Sequence, residues 1–195
     1  MMDEKLYLFL RESNAIEGEY SEEAFEDSIG AWQYAAKNSN DFDINYVCGI
    51  HKVLMGRLNL NNAGKLRRKT VYIVGRDSGG ERRIIRTIPA GGNRPRLEGW
   101  CKRYKTPQSA EDIREAHIDL EMIHPFMDGN GRTGRILYNV QRLQIGLDIE
   151  VFYDKDKQKY YKWFEDRQRN DDMIETIRQM EELNSKNNFK STELQ

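Results

Sequence analysis

Hydrophobic residues recur at helical spacing along most of the chain, and this pattern predicts a mainly α-helical protein. Serines at the N-cap position precede two of the stripes, and Gly18 follows the first one where a helix C-terminus favours glycine. About seven to eight helices are expected. The main stripes are Leu6, Phe9, Leu10, Ile16; Phe25, Ile29, Trp32, Ala36; Val47, Ile50, Leu54, Leu58; Leu97, Trp100, Cys101, Tyr104; Ile113, Ala116, Leu120, Ile123; Ile136, Leu137, Val140, Leu143; Tyr160, Tyr161, Phe164; and Ile174, Ile177, Met180.

The periodicity changes between Asn59 and Pro95. Thr70 to Val74 and Arg83 to Ile88 are rich in β-branched residues, and Arg76 to Gly80 between them carries turn residues, so a β-hairpin is predicted. A charged hairpin cannot form a core by itself, and we expect it to lie over another surface as a lid or docking edge. A purely structural hairpin is the alternative.

Candidate chemistry is concentrated in the segment from His124 to Arg135. Gly129 to Gly131 lies between two helical stripes and should form the turn that leads into a helix. Free N–H groups and the positive end of the helix dipole attract anions there. Arg132 and Arg135, three residues apart, share one face of the first turn and can bind phosphate oxygens from the same side.

Two further side chains complete this candidate site. Asp128 stands just before the turn, where it could hold a Mg²⁺ ion that bridges phosphate oxygens. His124 is placed to accept a proton from an attacking group. The segment therefore predicts a nucleotide-phosphate site with a base beside it.

The same segment, His-Pro-Phe-Met-Asp-Gly-Asn-Gly-Arg-Thr-Gly-Arg, resembles the signature His-Pro-Phe-x-Asp-Gly-Asn-Gly-Arg-x-x-Arg of the Fic (Fido-fold) proteins. Most members transfer AMP from ATP to a protein hydroxyl. Agreement at nine specified positions would arise by chance on the order of once in 10¹¹ trials. The resemblance implies a Fido-fold helical bundle with one β-hairpin flap, at about 69–88, near the active site. In the family this flap pairs with an extended segment of the target protein.

The resemblance also implies a protein adenylyltransferase with ATP as substrate and Mg²⁺ as cofactor. Its partner is a protein target that bears a hydroxyl side chain, and a homo-oligomer remains an option. A Ser, Thr or Tyr hydroxyl loses its proton to the base and attacks the α-phosphorus of ATP, and pyrophosphate leaves. The residues implied are His124 as base, Asp128 for the metal, Gly129, Asn130 and Gly131 under the phosphates, Arg132 as support and Arg135 on the γ-phosphate.

A second resemblance lies near the N-terminus. Ser13-Asn14-Ala15-Ile16-Glu17-Gly18 is similar to the Ser/Thr-x-x-x-Glu-Gly/Asn motif of the inhibitory helix in many Fic proteins. It implies that Glu17 pairs with Arg135 where a γ-phosphate would bind, which would hold the site mostly off. The alternative is an ordinary surface glutamate. The expected division is an inhibitory helix at 1–20, a catalytic domain at 21–183 and a polar, disordered tail at 184–195.

Composition narrows the range of partners. Charged residues make up 32% of the chain but nearly cancel, leaving a net charge of −1, so no nucleic-acid or membrane partner is expected. Two basic groups, Lys65, Arg67, Arg68, Lys69 and Arg82, Arg83, Arg86, are interpreted as solvated surface. Two cysteines outside any Cys-x-x-Cys pair favour a reduced, cytoplasmic protein, and we expect neither a signal peptide nor a membrane span.

Several alternatives remain open at this stage. A Fic relative can act as a kinase with ATP reversed or can remove AMP from a target, and the chain could also be a non-catalytic nucleotide-binding or toxin–antitoxin interaction module. His51 and His117 lie on or beside apolar faces and are interpreted as core or capping residues. The aromatic residues Tyr153, Tyr160, Tyr161 and Trp163 are core candidates, with an adenine pocket as the alternative.

Overall fold

The structure is a computed structural model that describes residues 2–76, 82–87, 89–165 and 167. These residues contain seven α-helical segments and one antiparallel pair of strands. The prediction of a mainly helical protein is confirmed, and the strand pair lies in the segment where the hairpin was predicted. The elements are α1 (Glu4–Ile16), α2 (Glu22–Lys37), α3 (Ile44–Leu54), β1 (Tyr72–Arg76), β2 (Arg82–Arg86), α4 (Asn93–Arg103), α5 (Ala110–Ile123), α6 (Asn130–Gln144) and α7, described over 157–165, with 3₁₀ turns at Ala90–Gly92 and Asp154–Asp156.

The helices begin where the sequence places capping residues. Ser21 Oγ accepts the N–H of Ala24 at 3.2 Å, and Ser109 Oγ accepts the N–H of Asp112 at 3.1 Å. Each bond satisfies one of the donors that a helix N-terminus leaves open. Gly18 follows α1 with φ +72°, as its position after the first stripe predicts.

The stripes predicted for α2, α3 and α6 each include one residue that is exposed. Leu58 lies beyond α3, which ends at Leu54, and 38% of it is exposed, so its predicted place on the buried stripe was wrong. Ala36 and Leu143 are also exposed, the latter by 47%, because each lies at the solvent edge of its helix. The last predicted stripe, at 174–180, and the tail at 184–195 lie outside the described residues.

One hydrophobic core joins the described helices. Phe9 and Leu10 of α1 pack into the same cluster as Ile136 and Leu137 of α6, and all four are at most 1% exposed. Burying side chains of this size contributes roughly 1.5–3 kcal/mol each. Because α6 is buried along most of its length, the position of its N-terminus is fixed by packing from several sides.

The hairpin strands pair in antiparallel register, with Tyr72 opposite Arg86 and Arg76 opposite Arg82. Strand β1 begins two residues later than predicted. The residue before it, Val71, is held at the base of the hairpin, where its carbonyl accepts the N–H of Thr87 at 3.2 Å and the hydroxyl of the same threonine at 2.8 Å. The turn at 77–81 lies outside the described residues, and the role of the hairpin as a flap stays a prediction.

No helix in the described part of the chain is both long and apolar enough to span a membrane. Neither cysteine forms a disulfide, and burial raises the pKa of Cys101 to about 12.

Candidate functional site

The junction between α5 and α6 brings the predicted chemical groups together. His124 is the residue that ends α5, and its N–H bonds the carbonyl of Leu120 at 2.9 Å. Its φ of +47° lies in the left-handed region, which no other non-glycine residue adopts in the described segments. This conformation costs an ordinary residue about 1–2 kcal/mol. It turns the chain sharply, and Phe126 anchors the loop in the core at 1% exposure.

The turn that follows is closed by Asn130. The side-chain oxygen of Asn130 accepts the N–H of Phe126 at 2.9 Å, and its amide group donates to the carbonyl of Phe126 at 3.0 Å. Both side-chain groups of this buried asparagine are therefore engaged in shaping the loop. The backbone N–H of Asn130, at the first position of α6, is open toward an anion.

The N-terminus of α6 already faces a negative charge. Gly129 is the N-cap residue, with φ +71°, and no side chain caps the helix in the described residues. A Cβ atom on Gly131 would lie 2.6 Å from Glu17 Oε1 and 2.9 Å from Arg135 Nη1. The carboxylate thus packs directly against the first turn of α6, where the helix dipole favours an anion. A side chain at 131 would therefore displace the end of the Glu17 or the Arg135 side chain.

Arg135 makes the strongest set of contacts in the site. It is fully buried and donates from Nε to Ser13 Oγ at 2.9 Å, and from Nη2 to the Ser13 carbonyl at 2.9 Å and to Glu17 Oε1 at 2.8 Å. Its Nη1 lies 3.4 Å from the hydroxyl of Tyr160. The pairing of Glu17 with Arg135 that the second resemblance implies is therefore present.

Charge accounts for the strength of this pairing. Burial alone would raise the pKa of Glu17, but the attraction and hydrogen bond of Arg135 more than offset it and hold that pKa below its usual value. Burial likewise opposes the charge of Arg135, and Tyr160 and Glu17 together raise its pKa. Both groups are ionised at neutral pH, as an ion pair of this geometry requires.

Arg132 is buried but incompletely bonded. Its Nη2 reaches Met55 Sδ at 3.4 Å, whereas its Nε and Nη1 have no hydrogen-bond partner among the described residues. Buried donors without partners are rare and costly. A site in which an incoming anion completes the bonding accounts for this arrangement.

Asp128 presents its carboxylate to solvent, with the side chain 64% exposed. One oxygen accepts the N–H of Gly129 at 2.6 Å. The described residues contain no cluster of three or more metal-binding side chains. Mg²⁺ is commonly held by one or two carboxylates together with substrate phosphates, so a single exposed aspartate beside an anion site fits this ion.

His124 is neutral, and its tautomer can be assigned from its contact. Its Nδ1 lies 3.3 Å from the carbonyl oxygen of Glu121, and a carbonyl can only accept, so Nδ1 carries the proton. The lone pair of the ring is then on Nε2. Burial lowers the pKa of His124 to about 4, which keeps the ring uncharged at neutral pH. The side chain can therefore accept a proton.

His51 contacts the backbone and the aromatic anchor of the loop between α5 and α6. It is 1% exposed, its Nδ1 accepts the N–H of Gly64 at 2.9 Å, and its Nε2 donates to the carbonyl of Asp128 at 2.9 Å. Its ring stacks on that of Phe126 at 3.7 Å. The prediction of a packing or capping histidine is confirmed.

The aromatic cluster near the C-terminal end of the described chain is core at its centre. Tyr160 is 6% exposed, and its hydroxyl lies 2.8 Å from Nε2 of His117, which is also buried as predicted. Tyr153 and Tyr161 are each 37% exposed. Sequence reasoning missed the part of Tyr160 in supporting Arg135, since helical spacing indicates burial but not the polar partner.

One basic residue was misassigned from the sequence. Arg67 was grouped with Lys65, Arg68 and Lys69 as solvated surface, but it is only 3% exposed, so this interpretation is wrong for Arg67. Its guanidinium donates to the backbone carbonyls of His124 and Ile123. The other three residues of the group are exposed.

Fold and site together define a class of protein: a mainly helical domain in which a neutral histidine ends one helix and a glycine-rich, anion-attracting turn begins the next. Residues 41–141 match the sequence model of the Fic/DOC family, which is more than half of the chain. The chain therefore belongs to the Fic/DOC family, and the helical bundle is the Fido fold that the signature implies.

Individual relatives agree with this assignment. The chain is 29% identical over 136 residues to protein adenylyltransferase Fic of Culex quinquefasciatus, covering 66% of this chain and 25% of the relative. It is 28% identical over 123 residues to the protein of the same name from Drosophila melanogaster, covering 62% of this chain and 24% of that relative. The chain thus spans about a quarter of the length of these curated relatives.

Solved structures show the same fold. A Fic-domain signalling protein from Bacteroides thetaiotaomicron superposes with a TM-score of 0.69 at 17% identity, over 80% of this chain and 69% of that one. Fic-1 of C. elegans superposes with a TM-score of 0.64 at 21% identity, over 83% of this chain and 55% of that one.

Proposed function

We propose that this protein is an adenylyltransferase that transfers AMP from ATP to a Ser, Thr or Tyr hydroxyl of a target protein and is held off by Glu17. The observation that carries the proposal is a carboxylate on the N-terminal turn of α6, close to a neutral histidine. A site that holds a carboxylate in this way suits a phosphate better, because a phosphate brings more charge and more acceptors. The Culex and Drosophila relatives carry the name protein adenylyltransferase, which supports the proposal.

ATP binds with its phosphates over the open N–H groups of Asn130, Gly131 and Arg132. The unpaired donors of Arg132 bond phosphate oxygens and lose the cost of being buried alone. Arg135 exchanges the carboxylate of Glu17 for the γ-phosphate through the Nη2 that it now offers to Glu17. Asp128 would hold Mg²⁺, which neutralises phosphate charge when it is bound.

His124 then acts as the general base. Its Nε2 takes the proton of the target hydroxyl, the hydroxyl oxygen bonds the α-phosphorus, and the bond to pyrophosphate breaks. Base catalysis of this kind contributes about 10² to 10⁴ in rate. The remainder comes from positioning and charge neutralisation at the turn.

The hairpin is the proposed docking element for the target. Its strands form a two-stranded ladder, and an outer strand edge can pair with an extended segment of another protein. The target is therefore a protein with an accessible extended loop. A hairpin lying over the site would present that loop near His124.

The test uses His124→Ala in a Glu17→Gly background, so that the inhibitory carboxylate does not mask the result. We expect ATP binding to be kept and AMP transfer to fall by at least about 100-fold, because the base is lost while the anion turn is unchanged. Mass spectrometry and ATP labelled on the α-phosphate measure transfer, and calorimetry measures binding. Transfer at the parent rate would contradict the role of His124.

ATP labelled on the γ-phosphate is the matched control for the reaction type. Label from the γ-position on protein would indicate a kinase and overturn the proposal. Label from neither position, with ATP still bound, would indicate a non-catalytic nucleotide-binding module.

A further inference from the structure

We propose that Arg67 is a positioning residue that holds His124 in its catalytic conformation and ties it to the base of the hairpin. The inference rests on the proposed function, because it assigns Arg67 a part in the same transfer reaction. Nothing in the sequence distinguishes Arg67 from the basic residues around it. The contacts of its buried side chain and of its backbone distinguish it in the structure.

Arg67 binds three successive carbonyls at the end of α5. Its Nε donates to the carbonyl of His124 at 2.7 Å, and its Nη2 donates to the carbonyl of Ile123 at 3.4 Å. Its backbone N–H donates to the carbonyl of Pro125 at 2.9 Å. These carbonyls belong to the end of a helix, where no further turn can bond them. Arg67 thus fixes the peptide groups on both sides of the left-handed residue.

The same guanidinium also reaches toward the hairpin. Its Nη1 donates to the carbonyl of Lys69 at 2.9 Å, three residues before β1 begins. The carbonyl of Arg67 in turn accepts the amide of the buried Asn93, at the start of α4, at 3.2 Å. A displacement of the hairpin base would therefore be transmitted through one rigid side chain to the peptide of His124.

The geometry requires arginine. A guanidinium presents donors in a planar fork, and here three of its nitrogens serve three different carbonyls. Lysine would keep the positive charge but offers its donors from a single atom, which cannot span the same carbonyls. Charge and geometry can therefore be separated by substitution.

The charge of Arg67 acts on His124 as well. After burial, which is the main cause, Arg67 contributes to lowering the pKa of His124. The groups that oppose it are the backbone carbonyl of Glu121 and the carboxylates of Glu17 and Asp128, and the Glu121 side chain lies 3.8 Å from Nδ1 of His124. Arg67→Met removes the charge and should raise the pKa of His124. Arg67→Lys removes only the planar guanidinium and should leave that pKa nearly unchanged.

The experiment compares Arg67→Met and Arg67→Lys with Arg68→Met, all in the Glu17→Gly background. Arg68 is the exposed neighbour and provides the matched control. We expect Arg67→Met to lower kcat for AMP transfer by about 100-fold, since misplacing a reacting group by ~1 Å costs this much. The Kd for ATP should change less than about threefold, because the described bonds of Arg67 lie at the end of α5, at Lys69 and at Asn93 rather than at the anion turn. Arg68→Met should match its parent.

NMR of the imidazole groups supplies a readout that does not depend on activity. The chain has three histidines, and the buried His51 and His117 report whether each variant is folded. Arg67→Met should shift the His124 signals and raise its pKa. Arg67→Lys should lower kcat while the pKa of His124 stays near that of the parent.

The proposal is overturned if folded Arg67→Met transfers AMP within about threefold of its parent or leaves the His124 signals in place. If Arg67→Met does not fold, Arg67→Lys is tested instead. A kcat within about threefold of the parent, or His124 chemical shifts equal to those of the parent, would then overturn the proposal. If the Glu17→Gly parent itself transfers no AMP, the proposed function fails, and the His124 signals still decide whether Arg67 positions that ring.

Discussion

At Gly131, a single missing side chain makes room for the contact between Glu17 and α6. Replacing a helical glycine by alanine normally stabilises a helix by about 1 kcal/mol. Here the new Cβ would stand 2.6 Å from the carboxylate of Glu17 and 2.9 Å from Arg135. Both side chains belong to one ion pair, so moving either of them away from the methyl group weakens that pair. Overpacking costs about 1–3 kcal/mol, and we expect Gly131→Ala to destabilise the protein. Urea unfolding measures the change.

The control for this prediction combines Gly131→Ala with Glu17→Gly. The reference for this double variant is Glu17→Gly alone, because loss of the ion pair with the buried Arg135 is itself destabilising. Without the carboxylate, the clash that remains is with the Arg135 side chain, and we expect Gly131→Ala to cost less stability in this background than in the parent. ATP binding should stay weak in the double variant, because the methyl group still covers the anion turn. A Gly131→Ala protein more stable than its parent would show that the carboxylate does not occupy this position.

Residue-level chemistry was predictable where side chains recognise each other. Glu17, Arg135 and His124 belong to motifs whose residue types and spacing carry the information. Arg67 was not predictable, because its partners are backbone carbonyls, which every residue possesses and no pattern marks. The same holds for His51, which was predicted to be buried but not to bond the backbone of Asp128.

At the scale of elements, α1 positions the carboxylate of Glu17 against Arg135. The helix is docked by Phe9 and Leu10 in the core and by Ser13 on Arg135, so Glu17, which follows its last residue, is held in place. We predict that Glu17→Gly tightens ATP binding by roughly 10- to 100-fold, since a hydrogen bond between charged groups contributes about 1.5–3 kcal/mol. Self-modification with AMP should rise as well.

Calorimetric titration with Mg-ATP and mass spectrometry of the incubated protein measure both effects. Glu17→Gln is the matched control, because it keeps the size and one acceptor but removes the charge, and it should fall between parent and Glu17→Gly. Equal ATP affinity and equal self-modification in all three proteins would refute the inhibitory role.

The elements themselves follow the sequence closely at their beginnings. Ser21 and Ser109 cap α2 and α5 as predicted, because a hydroxyl at this position satisfies a specific backbone donor. The ends were less predictable. The apolar residue Leu58 continues the stripe of α3 beyond its end at Leu54, and nothing in residue type alone shows where the chain leaves the helix.

For the whole molecule, buried histidines set the response to acid. Burial lowers the pKa of His51 and His124 to about 4 and that of His117 to about 3, from a usual value of 6.5. Their contribution to stability is complete above pH 6.5 and is lost as the pH falls toward 4. Burial raises the pKa of Glu121 to about 7, which acts in the opposite direction between pH 4.5 and 7.

The three histidines outweigh the one glutamate. Unfolding at pH 5.5 should take up about two protons net, which corresponds to a loss of roughly 2–3 kcal/mol of unfolding free energy per pH unit. Urea unfolding at pH 7.0, 6.0 and 5.5 measures this slope. A free energy that is constant or larger at pH 5.5 would show that the histidines are not held neutral by burial.

Helical periodicity was sufficient to predict the fold class, and the His124 to Arg135 signature was sufficient to predict the family. The packing of α1 against α6 was not available from periodicity, since amphipathic helices do not specify their partners. It followed only from the resemblance of the Ser13 to Gly18 motif.

Under the proposed function, Glu17 is an inhibitor that is covalently part of the protein it inhibits, and it acts through its ion pair with Arg135. Its effective concentration is set by the tether and by how firmly α1 is docked, and dilution does not change it. Glu17 and ATP would compete for Arg135, and Glu17 is favoured as long as α1 stays docked. Local opening of α1 removes this advantage, and its free energy can be far below that of global unfolding. Conditions that loosen only the first helix, such as mild warming or a partner that binds its exposed face, would therefore act as activators.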